Sequence, residues 1–314
     1  MESKNHNRIK ADLSLLSVAL IWGLTFVTVK NAIADMAPYT FIAIRFALAF
    51  VFMAVFCFKK LIKTDIKTLF SGIVLGMLLF LGYAFQTIGL QYTTASNAGF
   101  ITGLSVILVP LIYAFLNKTS PHFLVILGAI SAGVGLGFLC LQDGYIYNTG
   151  DLIVLSCAFF FALHIVILGH YAPKIDATVL ASIQIASVAL FSGIASLLFE
   201  SHIPVVFTGA VWVGLLTTAI PATALAFFIQ SSMQRHTTPA HTAVIFSLEP
   251  VFAGVFGYLL LNEVIGVKGV WGAALVFLGM ILSEINEIYQ EKNSSDYPLG
   301  FFGQENSRTQ GRVN

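Results

Sequence analysis

The stretch Phe246-Ser-Leu-Glu-Pro-Val-Phe-Ala-Gly-Val-Phe-Gly-Tyr-Leu-Leu-Leu-Asn-Glu263 is apolar almost throughout, yet it contains a carboxylate, Glu249, next to the helix-bending Pro250. An apolar run of this length is close to what a helix needs to cross a bilayer. An acidic side chain at the centre of such a helix costs about 2.5–3.5 kcal/mol by insertion scales, so it is by default a functional residue. The stretch therefore predicts a membrane span that contributes to a functional site.

The composition of the whole chain is that of an integral membrane protein. Of the 314 residues, 57% are hydrophobic and only 10% are charged, which is too apolar for an ordinary soluble protein. The net charge is +1, so nothing predicts a nucleic-acid partner. No metal-ligand spacing occurs around the cysteines, and no cofactor is predicted. The cysteines predicted to be small core residues are Cys57, Cys140 and Cys157.

Apolar segments of about 20 residues, the length of a membrane-spanning helix, occur ten times along the chain. They predict an all-α integral membrane protein with spans at 13–33, 38–58, 69–90, 95–116, 121–141, 150–170, 177–199, 206–232, 238–261 and 265–285. The predicted divisions are 1–12 (a cytoplasmic N-terminus, not a cleaved signal peptide), 13–141 (first five-helix unit), 142–149 (linker), 150–285 (second five-helix unit) and 286–314 (disordered cytoplasmic tail).

The distribution of lysine and arginine predicts the orientation of the spans. With ten spans and the N-terminus inside, eleven of these residues near the spans fall on the inner side, whereas only Lys30 and Lys268 fall on the outer side. Positive charge accumulates on the cytoplasmic side of membrane proteins. The chain is therefore predicted to be a multi-pass protein of the cytoplasmic (inner) membrane with both termini in the cytoplasm.

The two halves of the chain are similar to each other in sequence. The segment Asp12–Ala19 matches Asp151–Ala158 at an offset of 139 residues, and Gln86 matches Gln230 at an offset of 144. Each unit holds five spans, and because five is odd the second unit must enter the membrane upside down. Such inverted repeats are typical of secondary transporters, in which the site lies near the membrane midplane between the halves. Further identical pairs at the second offset are Thr93/Thr237, Thr94/Thr238, Gly128/Gly272 and Gly135/Gly279.

Polar side chains inside the predicted spans occupy corresponding positions in the two halves. The corresponding pairs are Arg45/Gln184, Gln86/Gln230, Asn97/His241 and Ser105/Glu249. Intramembrane polar groups avoid lipid and face a bundle interior or a water-filled cavity. The pairs therefore predict a two-fold-related cavity that binds a small-molecule substrate. Its predicted lining is Trp22, Thr25, Arg45, Tyr83, Gln86, Asn97, His164, Gln184, Gln230, His241 and Glu249.

Several of these residues also have a purely structural interpretation. Intramembrane glutamine and asparagine often join helices by hydrogen bonds, and a buried histidine can simply pack against its neighbours. Arg45 lies about two turns inside its span, and three roles are open to it: reaching towards the interface, pairing with a carboxylate such as Glu249, or a structural role at the cavity edge. Glu249 has the alternative role of capping a helix broken at Pro250, and Glu263 lies at the outer membrane edge. The candidates for proton coupling are Glu249 first, then His164 and His241.

Five short motifs follow one another along the chain. They are Ile21-Trp-Gly-Leu-Thr-Phe26, Ala43-Ile-Arg-Phe-Ala47, Thr93-Thr-Ala-Ser-Asn-Ala98, Ser247-Leu-Glu-Pro-Val251 and Asn262-Glu263. In this order they resemble the EamA family of the drug/metabolite transporter superfamily, over almost the whole chain up to about residue 286. The resemblance implies a ten-helix fold in which spans one to four and six to nine surround a central cavity. It also implies export or exchange of small metabolites by alternating access, and it carries over Trp22, Arg45 and Glu249 as motif positions.

Two departures from the family pattern are visible. The second half has Phe161-Ala162 in place of Trp-Gly, and the first half has Thr119 where the second has Glu263. These departures concern coupling and symmetry and do not change the predicted fold.

The residues therefore predict a secondary transporter and not an enzyme, and the resemblance implies that it exports amino acids or related amphipathic compounds including drugs. No phosphate-binding loop ending in Gly-Lys-Ser/Thr occurs, so ATP is not the direct driver and protons are the default coupling ion. A nucleotide-sugar or sugar-phosphate carrier is the alternative within transport, and it would need several cationic cavity residues. An intramembrane lipid-modifying enzyme, or a membrane sensor, is the alternative outside transport. Membrane lipid is a further expected partner, and the oligomeric state is open.

Overall fold

The computed structural model of the protein describes residues 2–93, 95–118, 120–140, 149–261 and 267–293. Thr119 and Glu263, which the sequence singles out, lie outside the described residues, as do the predicted linker up to residue 148 and the tail from residue 294. The side chains of Asn97 and Cys140 are also not described. The described residues fold into helices, as expected for a chain that must satisfy its backbone hydrogen bonds within lipid.

The helices follow one another with short connections. They are α1 (Glu2–Ala32), α2 (Pro38–Ile62), α3 (Ile66–Tyr92), α4 (Ala95–Gly103), α5 (Ser105–Asn117), α6 (Phe123–Cys140), α7 (Thr149–Tyr171), α8 (Ala177–Phe199), α9 (Gly209–Ala219), α10 (Ala226–Met233), α11 (Pro239–Phe246), α12 (Glu249–Leu261) and α13 (Val267–Asn293). A π-helical turn, Ile220–Leu225, joins α9 to α10, and a 3-10 turn, Gln234–His236, follows α10.

Within the described residues the helices form ten segments, because α4 continues into α5, α9 into α10 and α11 into α12. Among the described residues, seven segments are long and apolar enough to cross a membrane. Shorter apolar helices occur at Ile101–Asn117, Phe123–Gly135 and Val270–Gly279. The prediction of an all-helical, multi-pass membrane protein is therefore confirmed.

The larger contacts between helices of the two halves have counterparts: when both helices are replaced by their equivalents in the other half, those helices are also in contact. The contacts of α2 with α8 and of α6 with α13 pair corresponding helices. The contact of α3 with α7 has its counterpart in the contact of α1 with α9 and α10. Likewise, α1 packs on α11 and α12, and α7 packs on α4 and α5. The core between these helices contains fully buried residues such as Leu15, Val109 and Val166.

The crossing of α6 and α13 is made close by glycine. A Cβ atom at Gly135 would lie 2.5 Å from the carbonyl oxygen of Gly272, and one at Gly279 would lie 2.5 Å from that of Gly128. These two contacts correspond to each other under the 144-residue offset. Because a Cβ atom does not fit so close to a backbone oxygen, the two helices can approach this closely only where glycine is present.

Carboxylates cap the N-termini of several helices. Asp65 precedes α3, where hydrogen bonds from Thr68 lower the pKa of the Asp65 carboxyl. Glu200, at the end of α8, caps α2 from outside that helix. Its Oε1 accepts from the Tyr39 N–H at 2.9 Å and its Oε2 from the Thr40 N–H at 2.8 Å. Glu200 therefore joins the end of α8 to the start of α2 through two backbone amides that a helix leaves without partners.

Replacing Glu200 by alanine is expected to lower the free energy of unfolding by about 0.5–2 kcal/mol, the range measured for loss of a helix cap. Thermal unfolding of the purified protein in detergent measures the effect. The matched control is Ser192→Ala in the same helix α8. The Ser192 hydroxyl is buried without a hydrogen-bond partner among the described residues, so its removal is expected to cost nothing. Equal losses in the two variants would contradict the capping role.

Candidate functional site

A cavity with a volume of about 70 Å³ lies between helices of the two halves. The volume is several times the ~10–15 Å³ that a single water needs on this measure. Residues of both halves contribute to its wall, as the sequence predicts for a site between two repeats. The residues proposed from the sequence that line it are Trp22, Thr25, Arg45, Tyr83, Gln86, His164, Gln230 and Glu249.

Two of the proposed residues lie outside the cavity wall. Gln184 is fully buried, and it is bonded to His164 Nε2 at 2.9 Å and to the Ser231 hydroxyl at 3.1 Å. His241 Nε2 lies 3.1 Å from Asp12 Oδ1. Both side chains therefore join helices to one another, which is the structural interpretation that the sequence also allowed. For Asn97, the last of the residues proposed from the sequence, the structure does not describe the side chain.

Aromatic rings form much of the cavity wall, and they are related by the repeat. The rings of Trp22 and Phe227 are 5.7 Å apart, and those of Phe161 and Tyr83 are 5.2 Å apart. Phe161 corresponds to Trp22, and Phe227 corresponds to Tyr83. The departure from Trp-Gly in the second half therefore keeps a ring at this position of the wall. Phe161 was not among the proposed lining residues, although the 139-residue offset points to it.

Arg45 is bonded to the π-helical turn, and it forms no ion pair with a carboxylate of the described residues. Its Nε donates to the Thr223 hydroxyl at 2.8 Å, and its guanidinium carbon lies 5.0 Å from the centre of the Tyr83 ring. The Ala222 carbonyl accepts from Arg45 at 3.4 Å and from Trp22 Nε1 at 2.8 Å. Because a π turn widens the helix and changes its carbonyl pairing, such turns are frequent at functional sites. Both motif residues therefore meet at Ala222, which the sequence did not indicate.

Glu249 lies where the ninth segment is interrupted. It is the first residue of α12, and Ser247 and Leu248 separate it from α11. The corresponding interruption in the first half is at Leu104, immediately before Ser105. The Glu249 carboxylate makes no hydrogen bond or ion pair with the residues that the structure describes. The predicted capping role is therefore not seen among those residues.

Helix α1 packs tightly against this interruption. A Cβ atom at Gly23 would lie 2.7 Å from the Glu249 carbonyl oxygen, and the ring of Phe246 is 5.0 Å from that of Trp22. Pro250 has no N–H, so the carbonyl of Phe246 loses its usual helical donor. The position of Glu249 in the cavity is thus set by α1 on one side and by the broken helix on the other.

Polar contacts are present at both ends of the bundle. At the start of α1, Asp12 contacts His241 of α11. At the other end of α1, Lys30 donates to the Thr93 carbonyl, and the Thr93 hydroxyl donates to Asp151 of α7 at 2.6 Å. Asp12 and Lys30 are about 27 Å apart along the helix. The aspartates of the two contacts correspond in the repeat, so related residues join helices at opposite ends.

Several known proteins are similar to this chain in sequence or in fold. An uncharacterized transporter of Archaeoglobus fulgidus is 38% identical over 279 residues, which cover 88% of this chain and 86% of the relative. The uncharacterized transporter YoaV of Bacillus subtilis is 25% identical, with coverages of 88% and 97%. A crystal structure superposes with a TM-score of 0.75 at 19% identity, over 90% of this chain and 99% of the other, which shows the fold alone. Residues 9–141 and 148–285 each match the EamA-like transporter family, and the chain is therefore a membrane transporter of that family.

Proposed function

We propose that this protein is a secondary transporter of the cytoplasmic membrane that exports small amphipathic metabolites, such as amino acids and related compounds, by alternating access. The observation that carries the proposal is the position of Glu249. It lies at a broken helix, in a cavity shared by both halves, without a partner among the described residues. Discontinuous helices at the interface of two repeats are where secondary transporters bind substrate and coupling ions.

The proposed arrangement of the halves is an inverted repeat with both termini in the cytoplasm. Three observations support it: the packing that is unchanged on exchange of the halves, the paired glycine contacts of α6 and α13, and the paired aromatic rings. Two units of five spans can be related in this way only if one is upside down. The excess of basic residues on one side supports the orientation.

The proposed coupling ion is the proton, and Glu249 is its proposed carrier. A charged carboxylate in the membrane interior is costly unless a proton or a cationic group neutralises it. Glu249 can therefore bind a proton and a cationic cargo at different stages of one cycle. His164 is the less suitable carrier because its Nε2 is already bonded to Gln184, and His241 lies outside the cavity wall.

The two end contacts are proposed to act as gates. In alternating access, the cavity opens to one side while it is closed to the other. The contact of Asp12 with His241 would close the cytoplasmic side, and the contact of Asp151 with Thr93 would close the outer side.

Breaking each gate is expected to open a different side. In a background without native cysteines, a Thr25→Cys side chain in the cavity reports access to a membrane-impermeant maleimide. Adding Asp12→Ala is expected to raise its labelling rate about threefold to tenfold from the cytoplasmic side, the equivalent of one hydrogen bond. Asp151→Ala is the matched variant, and it is expected to do the same from the outer side only. Faster labelling from one common side in both variants would contradict the gate assignment.

A phosphorylated cargo is less well supported than an amphipathic one. Among the lining residues that the structure describes, Arg45 is the only lysine or arginine, and it already donates to Thr223 and Ala222. Recognition of phosphates normally uses several cationic groups. The aromatic wall favours a cargo with an apolar body.

Uptake of a panel of metabolites into proteoliposomes, with and without an imposed pH gradient, tests the proposed function. We expect at least one small amphipathic compound to accumulate only when the gradient is present, and an ionophore that dissipates the gradient to abolish the effect. Liposomes without protein are the control. If folded protein moves no compound of a broad panel, the enzyme and sensor alternatives are favoured instead.

A further inference from the structure

The direction of the Gln230 side-chain amide is fixed by a series of hydrogen bonds. The series begins at the main-chain carbonyl of Ile165, which can only accept, so Gln234 must turn its Nε2 towards it. Gln234 then presents its Oε1 to Gln230, whose Nε2 donates to it at 3.4 Å. Because an amide has one donor end and one acceptor end, the acceptor Oε1 of Gln230 is directed away from Gln234.

This acceptor has no partner among the residues that the structure describes. Gln230 is only 1% exposed and lines the cavity, and its Oε1 makes no hydrogen bond with them. Buried polar atoms are nearly always hydrogen-bonded, and an acceptor left without a donor destabilises the site. A donor group of a cargo that approached Gln230 from the cavity would satisfy this acceptor.

The charged groups of the cavity point to the same chemistry. Glu249 is a second acceptor without a partner among the described residues. Arg45, in contrast, already donates to Thr223 and to the Ala222 carbonyl. These bonds use two of the five Arg45 N–H groups, and the acceptors left for a cargo are Gln230 Oε1 and the negatively charged Glu249.

We propose that the cargo is a protonated amine with at least one N–H, which donates to Gln230 Oε1 and lies within reach of the Glu249 charge. This inference rests on the proposed function and names the substrate class of the same cavity. The rings of Trp22 and Phe227 contact the apolar body and attract a cation over their faces. A quaternary ammonium keeps the charge and the ring contacts but has no N–H, so it leaves Gln230 without a donor.

Four compounds with a common phenyl-substituted skeleton separate these features. Phenethylamine has charge and N–H donors, its trimethylammonium derivative has charge alone, phenylalanine adds a carboxylate, and phenylpropanoate has only the carboxylate. Binding to the purified full-length protein is measured by titration calorimetry. We expect the Kd of phenethylamine to be about tenfold to a hundredfold lower than that of the trimethylammonium derivative, the range for a hydrogen bond to a charged group. Phenylalanine is expected to bind no more tightly than phenethylamine, and phenylpropanoate most weakly.

The readout for the variants is a ratio, the Kd of the trimethylammonium derivative divided by the Kd of phenethylamine. Gln230→Leu is expected to bring the ratio close to one, whereas Gln230→Glu keeps an acceptor and keeps the ratio high. Gln234→Leu, at a positioning residue, is expected to lower the ratio in part, because the Gln230 amide is then free to turn over. Gln86→Leu is the matched control at the corresponding position of the first half. Gln86 donates to the Thr102 hydroxyl at 3.1 Å, and its loss is expected to affect both compounds alike.

Several results would overturn the inference. They are equal Kd values for the two cations in the unaltered protein, tightest binding of phenylpropanoate, an unchanged ratio in Gln230→Leu, or an equal fall of the ratio in Gln86→Leu. Failure of both cations to bind would also overturn it. If gradient-driven transport of another compound were still observed, the proposed function would stand without the amine class. Thermal unfolding of each variant confirms that the ratio is measured on folded protein.

Discussion

Glu249→Gln is expected to abolish accumulation driven by a pH gradient while leaving exchange of cargo between the two sides, at a higher cargo Kd because the Glu249 charge is lost. Glutamine has the shape of a protonated glutamate but cannot release a proton, so cargo movement is no longer linked to proton movement. A gradient of one pH unit drives about tenfold accumulation per coupled proton, since about 1.4 kcal/mol corresponds to a factor of ten. Proteoliposome uptake with an imposed gradient should therefore fall from about tenfold accumulation to none.

The matched control for this prediction is Glu200→Gln. Glu200 is a carboxylate outside the cavity that binds the backbone amides of α2, so its substitution is expected to leave the gradient response in place. Exchange of labelled for unlabelled cargo at equal pH shows that each variant is folded and competent. If Glu249→Gln still accumulates cargo tenfold, Glu249 is not the proton carrier.

Gly135→Val is expected to destabilise the protein by about 1–3 kcal/mol, the usual cost of overpacking a close contact. The new Cβ atom would lie 2.5 Å from the Gly272 carbonyl oxygen and 2.8 Å from the Val276 nitrogen. Both are backbone atoms, so α6 and α13 must move apart. Thermal unfolding in detergent is expected to show a lower midpoint for the variant.

Two other glycines serve as controls for this prediction: one is expected to show the same loss of stability and the other is not. Gly279→Val places a Cβ atom 2.5 Å from the Gly128 carbonyl oxygen, so it should cause a similar loss. Gly193 is also helical, but a Cβ atom there meets nothing within 4 Å, and Gly193→Ala is expected to stabilise helix α8 by about 0.5–1 kcal/mol. A loss in Gly193→Ala as large as in Gly135→Val would show that the close crossing is not the cause.

The fold was predictable from the sequence because the bilayer leaves few alternatives. Backbone groups in lipid must be satisfied within helices, so apolar runs of about 20 residues identify the segments. The interruptions at Leu104 and Leu248 were harder to place. Pro110, inside α5, and Pro250 indicate a bend but not its exact position. The π turn at Ile220–Leu225 was not predicted at all, because Pro221 is compatible with several local geometries.

The cavity was predictable to the extent that polarity and repeat position reveal which residues avoid lipid. This reasoning applies to Arg45 and Gln230, which line it. Polarity and repeat position do not distinguish a residue on the cavity wall from one that joins two helices by a hydrogen bond. Gln184 and His241 join helices in this way. The difference depends on helix rotation and on partners such as Asp12, which was assigned to the cytoplasmic N-terminus.

The hydroxyl of Ser131 in α6 donates to the carbonyl oxygen of Leu275 in α13 at 2.9 Å, and these residues are partners under the 144-residue offset. The bond therefore lies beside the axis that relates the halves. In alternating access the cavity opens first to one side of the membrane and then to the other. If the halves are inverted as proposed, the form open to the other side arises when each half takes the conformation that the other half now has. That exchange maps the α6 and α13 crossing onto itself. The crossing can then stay fixed while the remaining helices move, and the conformations of the two halves together define both forms of the transporter.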